Sequence, residues 1–285
     1  EFPASVALMP NLVPKRLFTN AAAWSSSAWQ SATIAGPAIG GLLYAVGPEV
    51  VYGCCVLMFS VSILLVSIIH IGPRTVEQKA ATWKSLVAGI SFIRSQPVVL
   101  GAVSLDLFAV LLGGATALLP IYARDILHVG PWGLGILRSA PALGALVTAV
   151  IMARRPIQHH AGVILLATVG IFGLSIVGFG LSRNLWLSLV MLIILGASDM
   201  VSVVIRRVLV LVKTPDQMRG RVSAVESVFI GGSNELGEFE SGVTAAWFGV
   251  VPAVILGGLG TLAIVGLWAR IFPQLRQVDS LEEEA

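Results

Sequence analysis

Charge is scarce in this chain. Asp, Glu, Lys and Arg together make up 12% of its 285 residues, about half of the roughly 25% with which a soluble domain coats its surface. Cysteine is nearly absent: Cys54 and Cys55 are adjacent, point different ways on a helix and read as packing residues rather than a disulfide. No CxxC or HExxH pattern occurs, and His70, His128, His159 and His160 sit at the ends of apolar runs or in loops, so no metal site is expected. There is no GxxxxGK[ST] stretch to cradle a nucleotide phosphate, and no cofactor is expected. The formal net charge of +3 is spread over loops, with no basic stripe interleaved with aromatics, which argues against nucleic acid. No nucleophile–base spacing appears in the apolar runs, so an enzyme is not expected.

What the chain has instead is hydrophobic residues, 56% of the total, in long runs. Eight of these runs are long enough to cross a bilayer as helices: 21–46, 50–71, 97–123, 133–153, 161–182, 185–205, 222–247 and 250–272. The fold expected is an all-α membrane protein. The longer link between the second and third runs contains TWKSLVAGISFIRS. There Trp83, Leu86, Val87, Ile90 and Ile93 keep a helical period, which predicts an amphipathic helix lying on the membrane surface. Counting basic residues in loops puts fifteen of the 18 on one side of the membrane. Arg124 and Arg183 fall on the other side, and Arg138 lies within a run. The positive side being cytoplasmic, both chain ends are expected in the cytoplasm of a multi-pass cell-membrane (inner-membrane) protein.

The chain also repeats itself. Subtracting 201 maps Pro215 onto Pro14, Ala224 onto Ala23, Ser227 onto Ser26, Gly237 onto Gly36, Gly242 onto Gly41 and Ala246 onto Ala45. A period of that length is six helices with loops, the plan of transporters built from two parallel halves. On this plan roughly 100 residues and four helices are expected before Glu1, making the chain a fragment of a longer protein. The expected division is 1–72 for the last two helices of one half, 73–96 for a cytoplasmic link with its amphipathic helix, and 97–285 for the second six-helix half with a short tail.

Three stretches also carry a family likeness: LVPKRLFTNAAAWSSSAWQSATIAGPAIGGLLYAVGP, SLVAGISFIRSQPVVLGAVSLDLFAVLLGGATALLPIYARDIL and TPDQMRGRVSAVESVFIGGSNELGEFESG. They resemble the major facilitator superfamily, in the bacterial exporter branch that includes enterobactin and macrolide efflux proteins. The resemblance covers nearly the whole chain. It implies that the eight runs are helices five to twelve of a twelve-helix fold, and that the protein exports amphipathic small molecules by proton-coupled alternating access. The partners it implies are a small-molecule substrate, protons and membrane lipids, with the full-length protein monomeric. It also implies an antiporter motif, GPxxGG, matched by Gly36, Pro37, Gly40 and Gly41; the two glycines further upstream in that motif are Ala23 and Ala32 here. Gly36 and Gly40 share a helix face, where small residues let another backbone approach, and Pro37 removes a backbone donor. The loop after the helix at 133–153, MARRPIQHHAG, supplies Arg154 and Arg155 but no acidic partner.

The acids of SNELGEFESG are the last expectation. A carboxylate at mid-membrane costs roughly 2.5–3.5 kcal/mol and stays only where a cavity, a partner or a proton relieves it. Glu235 and Glu238 share a face with Asn234 and are expected to share a proton. Glu226 and Glu240 fall on another face and suit a structural network. Asp106, Asp199 and Arg138 are also within runs. An arginine cannot discharge itself by losing its proton. Arg138 is therefore expected to pair with Glu235, Glu238 or Asp199, and the resemblance implies that these helices line the central cavity. Arg206, Arg207, Arg219 and Arg221 are expected to frame a cytoplasmic loop and hold lipid headgroups. Two other readings stay open: a uniporter or importer on the same fold, or a non-transporting truncated fragment.

Overall fold

A computed structural model describes residues 18–68, 83–155, 157 and 159–279. The proline-basic stretch at 14–16 and residues 73–82 of the link lie outside them. The described residues contain helices and no strand. In chain order the helices are α1 (Phe18–Val46), α2 (Pro48–Ile68), α3 (Trp83–Ser95), α4 (Pro97–Leu112), α5 (Pro131–Arg154), α6 (Ala161–Leu181), α7 (Leu185–Lys213), α8 (Asp216–Phe248), α9 (Val250–Ile271) and the single turn α10 (Pro273–Arg276). Each of the eight expected runs is a helix of at least most of its predicted length. Six segments are long and apolar enough to cross a membrane by length and composition: α2, α5, α6, α7, α9 and the stretch Pro97–Ile126. The part of α1 at Ser31–Val46 is a shorter apolar helix, and α8 is long enough but more polar, because of its Ser, Asn and Glu residues.

Local signals set the boundaries. Pro97 and Pro131 start α4 and α5, where a missing N–H is no loss. The Asn184 side chain caps α7 by accepting from the Trp186 amide at 2.8 Å. Helix α4 stops at Gly113–Gly114, and the chain continues as a 3-10 turn (Ala115–Leu118), a short α turn and a π turn (Tyr122–Ile126). Tyr122 anchors that irregular stretch. It is fully buried, donates to the Gly180 carbonyl at 2.8 Å and lies 4.5 Å from the Phe179 ring, centroid to centroid.

Helices α4 to α9 form one bundle, with α6 against both α7 and α9, α5 against α7, and α8 against α4 and α9. Helix α1 lies along α5. Helix α2 leans on α1 and has no buried residue. One core centres on Tyr122, Leu137, Phe179 and Leu192, and a second, towards the other end, on Leu105, Leu165, Leu209 and Trp268.

One expectation changes here. The amphipathic helix α3 turns its stripe inward: Ile93 is buried with Val99, Val103, Val210, Val222 and Val225, and Leu86 and Ile90 pack against them, leaving Val87 exposed. Its apolar face is thus covered by α4 and α8 rather than by lipid. Asp279, near the chain's other end, meets the loop MARRPIQHHAG at its histidines rather than at Arg154 or Arg155. The Asp279 carboxylate accepts from the His160 amide at 2.8 Å and meets His159 Nδ1 at 3.3 Å. Ala161 and Gly162 amides donate to the Asp279 and Val278 carbonyls at 3.1 and 3.0 Å.

The His160 amide first, and then His159, hold the Asp279 carboxyl below its ordinary value of 3.8. A depressed acid stabilises the docked tail fully above that ordinary value and loses the contribution as pH falls through the lowered one. The tail is therefore expected to stay docked from neutral pH down to about the ordinary carboxylate range. Asp279→Ala is expected to release it at every pH. Hydrogen exchange at the 160–162 amides reads both outcomes.

Candidate functional site

The glutamate helix α8 sorts its side chains by face. Ser233, Gly237 and Ser241, at four-residue steps, are buried against the end of α4 and the irregular turn after it. A Cβ at Gly237 would sit 2.9 Å from the carbonyl oxygens of Val110 and Leu111, so only glycine permits this approach. The neighbouring stripe, Asn234 and Glu238, then faces a cavity of about 410 Å³.

That cavity collects polar groups from five segments: Thr33 of α1, Thr116 after α4, Arg138 of α5, Asp199 of α7, and Asn234 with Glu238 of α8. The structure thus brings together Arg138, Asp199 and Glu238, three of the residues singled out from the sequence. It does not close an ion pair there: among the described residues no carboxylate oxygen lies within 4.0 Å of the Arg138 guanidinium. Glu235 is exposed and is not among the residues lining this cavity. Glu240 accepts from its own helix, from Thr244 Oγ1 at 2.7 Å.

Asp106 is elsewhere. It is buried on α4 and pairs with Arg206 Nη2 at 3.2 Å. Arg206 Nη1 donates to Glu226 of α8. Arg206 is 2% exposed, and its Nε has no hydrogen-bond partner among the described residues. The expectation that Arg206 belongs to a cytoplasmic loop is overturned, because α7 runs to Lys213 and carries Arg206 into the bundle. Two carboxylates from neighbouring helices neutralise a guanidinium that hydropathy alone assigns to water. Asp199, Ser202 and Arg206 lie on one face of α7, at steps of three and four residues. That polar stripe was the available signal. A narrow void lies between Asp199 and Ser202 of α7 and Asp106 of α4, walled also by Val110 and Phe172.

The GPxxGG stretch has a definite counterpart. A Cβ at Gly41 would meet the Pro131 carbonyl oxygen at 2.6 Å and Gly135 Cα at 3.0 Å; one at Gly135 would meet the Pro37 carbonyl oxygen at 2.6 Å. Helices α1 and α5 therefore touch backbone to backbone through Pro37, Gly41 and Gly135. Gly36 and Gly40, expected to make this approach, have nothing described within 4 Å of a Cβ position. The crossing sits one residue further round the helix than the shared face suggested. Beside it lies a second cavity, of about 630 Å³, between Pro37, Gly40, Tyr44, Pro120, Arg124 and Leu134. Arg138 lines both cavities.

Comparison with known proteins bears on this arrangement. A family model described as "Transmembrane secretion effector" matches residues 1–285. The chain is 26% identical over 276 residues to the enterobactin exporter EntS of Escherichia coli O1:K1 / APEC, covering 96% of this chain and 66% of that protein. For EntS of Escherichia coli (strain SMS-3-5 / SECEC) the identity is 27% over 292 residues, covering 97% and 69%. For EntS of Shigella boydii serotype 18 it is 26% over 276 residues, covering 96% and 66%. The chain spans about two thirds of the length of the curated relatives it matches.

Proposed function

This chain belongs to the transmembrane secretion effector family of the major facilitator superfamily, multi-pass inner-membrane transporters and not enzymes, and from that premise we propose that it is part of a proton-coupled exporter of amphipathic small molecules. Its eight long helices take the places of helices five to twelve in a twelve-helix fold. Residues 1–72 end one six-helix half, 73–96 form the link, and 97–285 form the other half. Both ends of the chain face the cytoplasm, following the distribution of basic residues.

One observation carries the coupling site: Arg138, Asp199 and Glu238 share one cavity, with no ion pair closed on Arg138 among the described residues. A guanidinium keeps its charge throughout, whereas a carboxyl group on the cavity wall can take up a proton. With Glu238 or Asp199 ionised, Arg138 is drawn to the acid. With the acid protonated, Arg138 is released and can hold a negative or polar group on the substrate. Proton entry thereby alternates with substrate release. The α1–α5 crossing at Gly41 and Gly135 seals the interface between the halves on one side as they rock.

The energetics suffice. One proton moving down 100 mV releases about 2.3 kcal/mol, which sustains roughly a fiftyfold substrate gradient.

The test uses inverted membrane vesicles containing the protein, with enterobactin as the first probe. An imposed pH gradient is expected to drive its accumulation. Glu238→Gln and Arg138→Ala are each expected to reduce that accumulation by about tenfold or more, the loss of one transition-state charge contact, while leaving gradient-free exchange measurable. Unchanged accumulation in both variants rejects the site. Equilibration of the probe across the membrane with no response to the gradient points to the uniporter reading.

A further inference from the structure

Acidic side chains form an end-to-end series through the bundle, linked by shared cavity walls and by ion pairs. Glu238 and Asp199 line the central cavity. Asp199 also lines the narrow void, with Ser202 beside it and Asp106 across it. Asp106 pairs with Arg206, and Arg206 with Glu226. Glu226 in turn lines a separate space of about 550 Å³, with Arg207, Thr214, Arg219 and Ser223, at the end of the bundle where α7 gives way to α8. Among the described residues the series holds one cation between its two ends, Arg206.

We propose that this series is a proton path through the second six-helix bundle and that Arg206 is the plug that closes it. The path deepens the reading of Glu238 and Asp199 as proton carriers and rests on it. In each step an O–H bond of one carboxylic acid breaks and an O–H bond on the next carboxylate forms, through a hydroxyl such as that of Ser202 or through water, with no change in electron count. The step from Asp106 to Glu226 has to pass a guanidinium that is 2% exposed. A buried fixed cation repels a migrating proton and cannot relay it, because it does not give up its own.

The charges around the plug are defined on every side. Helix α4 presents Asp106 and α8 presents Glu226. On α7 itself Asp199 and Arg207 flank Arg206, α5 contributes Arg138 at the far end of the cavity, and α6 carries no charged residue. The Nε donor, without a partner among the described residues, leaves Arg206 a hydrogen bond to make when it swings away from Asp106. In a working cycle that swing opens the path, and at rest the path is shut.

The experiment needs no substrate. The protein is reconstituted in liposomes with pyranine trapped inside, and a potassium diffusion potential is set with valinomycin. Wild type and Arg206→Lys are expected to admit protons no faster than empty liposomes. Arg206→Gln is expected to raise the rate by about tenfold or more, as removing an electrostatic barrier in a pore does, and adding Asp106→Asn is expected to bring it back. Arg206→His supplies its own folding control. It is expected to be tight below about pH 6, where imidazole is charged, and leaky above about pH 8. A folded Arg206→Gln as tight as wild type overturns the proposal. So does an Arg206→His that is tight at both pH values, or a leak that Asp106→Asn does not stop. Failure of the cavity reading shows separately, as driven transport indifferent to Glu238→Gln while the Arg206 leak persists.

Discussion

Glu226→Ala and Asp106→Ala are expected to destabilise the protein more than Arg206→Gln does, although all three break the same buried cluster. Removing either acid leaves a guanidinium, 2% exposed, with one remaining counter-charge, and such a break costs about 3–5 kcal/mol. Arginine has no neutral form to retreat to. Removing the arginine leaves two carboxyl groups, and these can take up protons and become neutral, so part of the cost is returned. The double variant Glu226→Ala/Arg206→Met, with no unpaired cation, is expected to recover most of the loss. Thermal unfolding in detergent ranks the four variants. If Arg206→Gln proves the least stable of them, the cluster is not held by the charge balance described here.

The second large effect belongs to the α1–α5 crossing. Gly135→Val is expected to cost about 1–3 kcal/mol through overpacking, because a Cβ there meets the Pro37 carbonyl oxygen at 2.6 Å and Ala38 Cα at 3.3 Å. Both are backbone atoms that no rotamer change can move aside. Gly41→Val faces Pro131 and Gly135 in the same way. Gly36→Ala and Gly40→Ala, with nothing described within 4 Å, are expected to change stability by no more than about 0.5 kcal/mol. Equal losses at all four positions would mean that the motif acts through glycine flexibility rather than close contact.

Hydropathy marked eight runs, and six of the resulting segments are long and apolar enough to cross a membrane, because an apolar run long enough to span a bilayer has few alternatives to being a helix there. The residues of three stretches carried the family likeness. The sequence also named Arg138, Asp199 and Glu238 as charges needing relief, since the cost of burying a charge depends on the side chain and its depth. Which charge relieves which was decided by the packing. Arg206, Asp106 and Glu226 are drawn from three helices, and no period along one helix can report a contact between helices. Hydropathy ended the sixth run at residue 205, since a cation normally marks the return to water; two carboxylates from neighbouring helices supplied the compensation that let α7 continue. Similarly, the glycine motif announced a close approach, but the partner, Gly135, and the position that makes the contact, Gly41, follow from the rotation and crossing of α1 on α5, which only the folded chain defines.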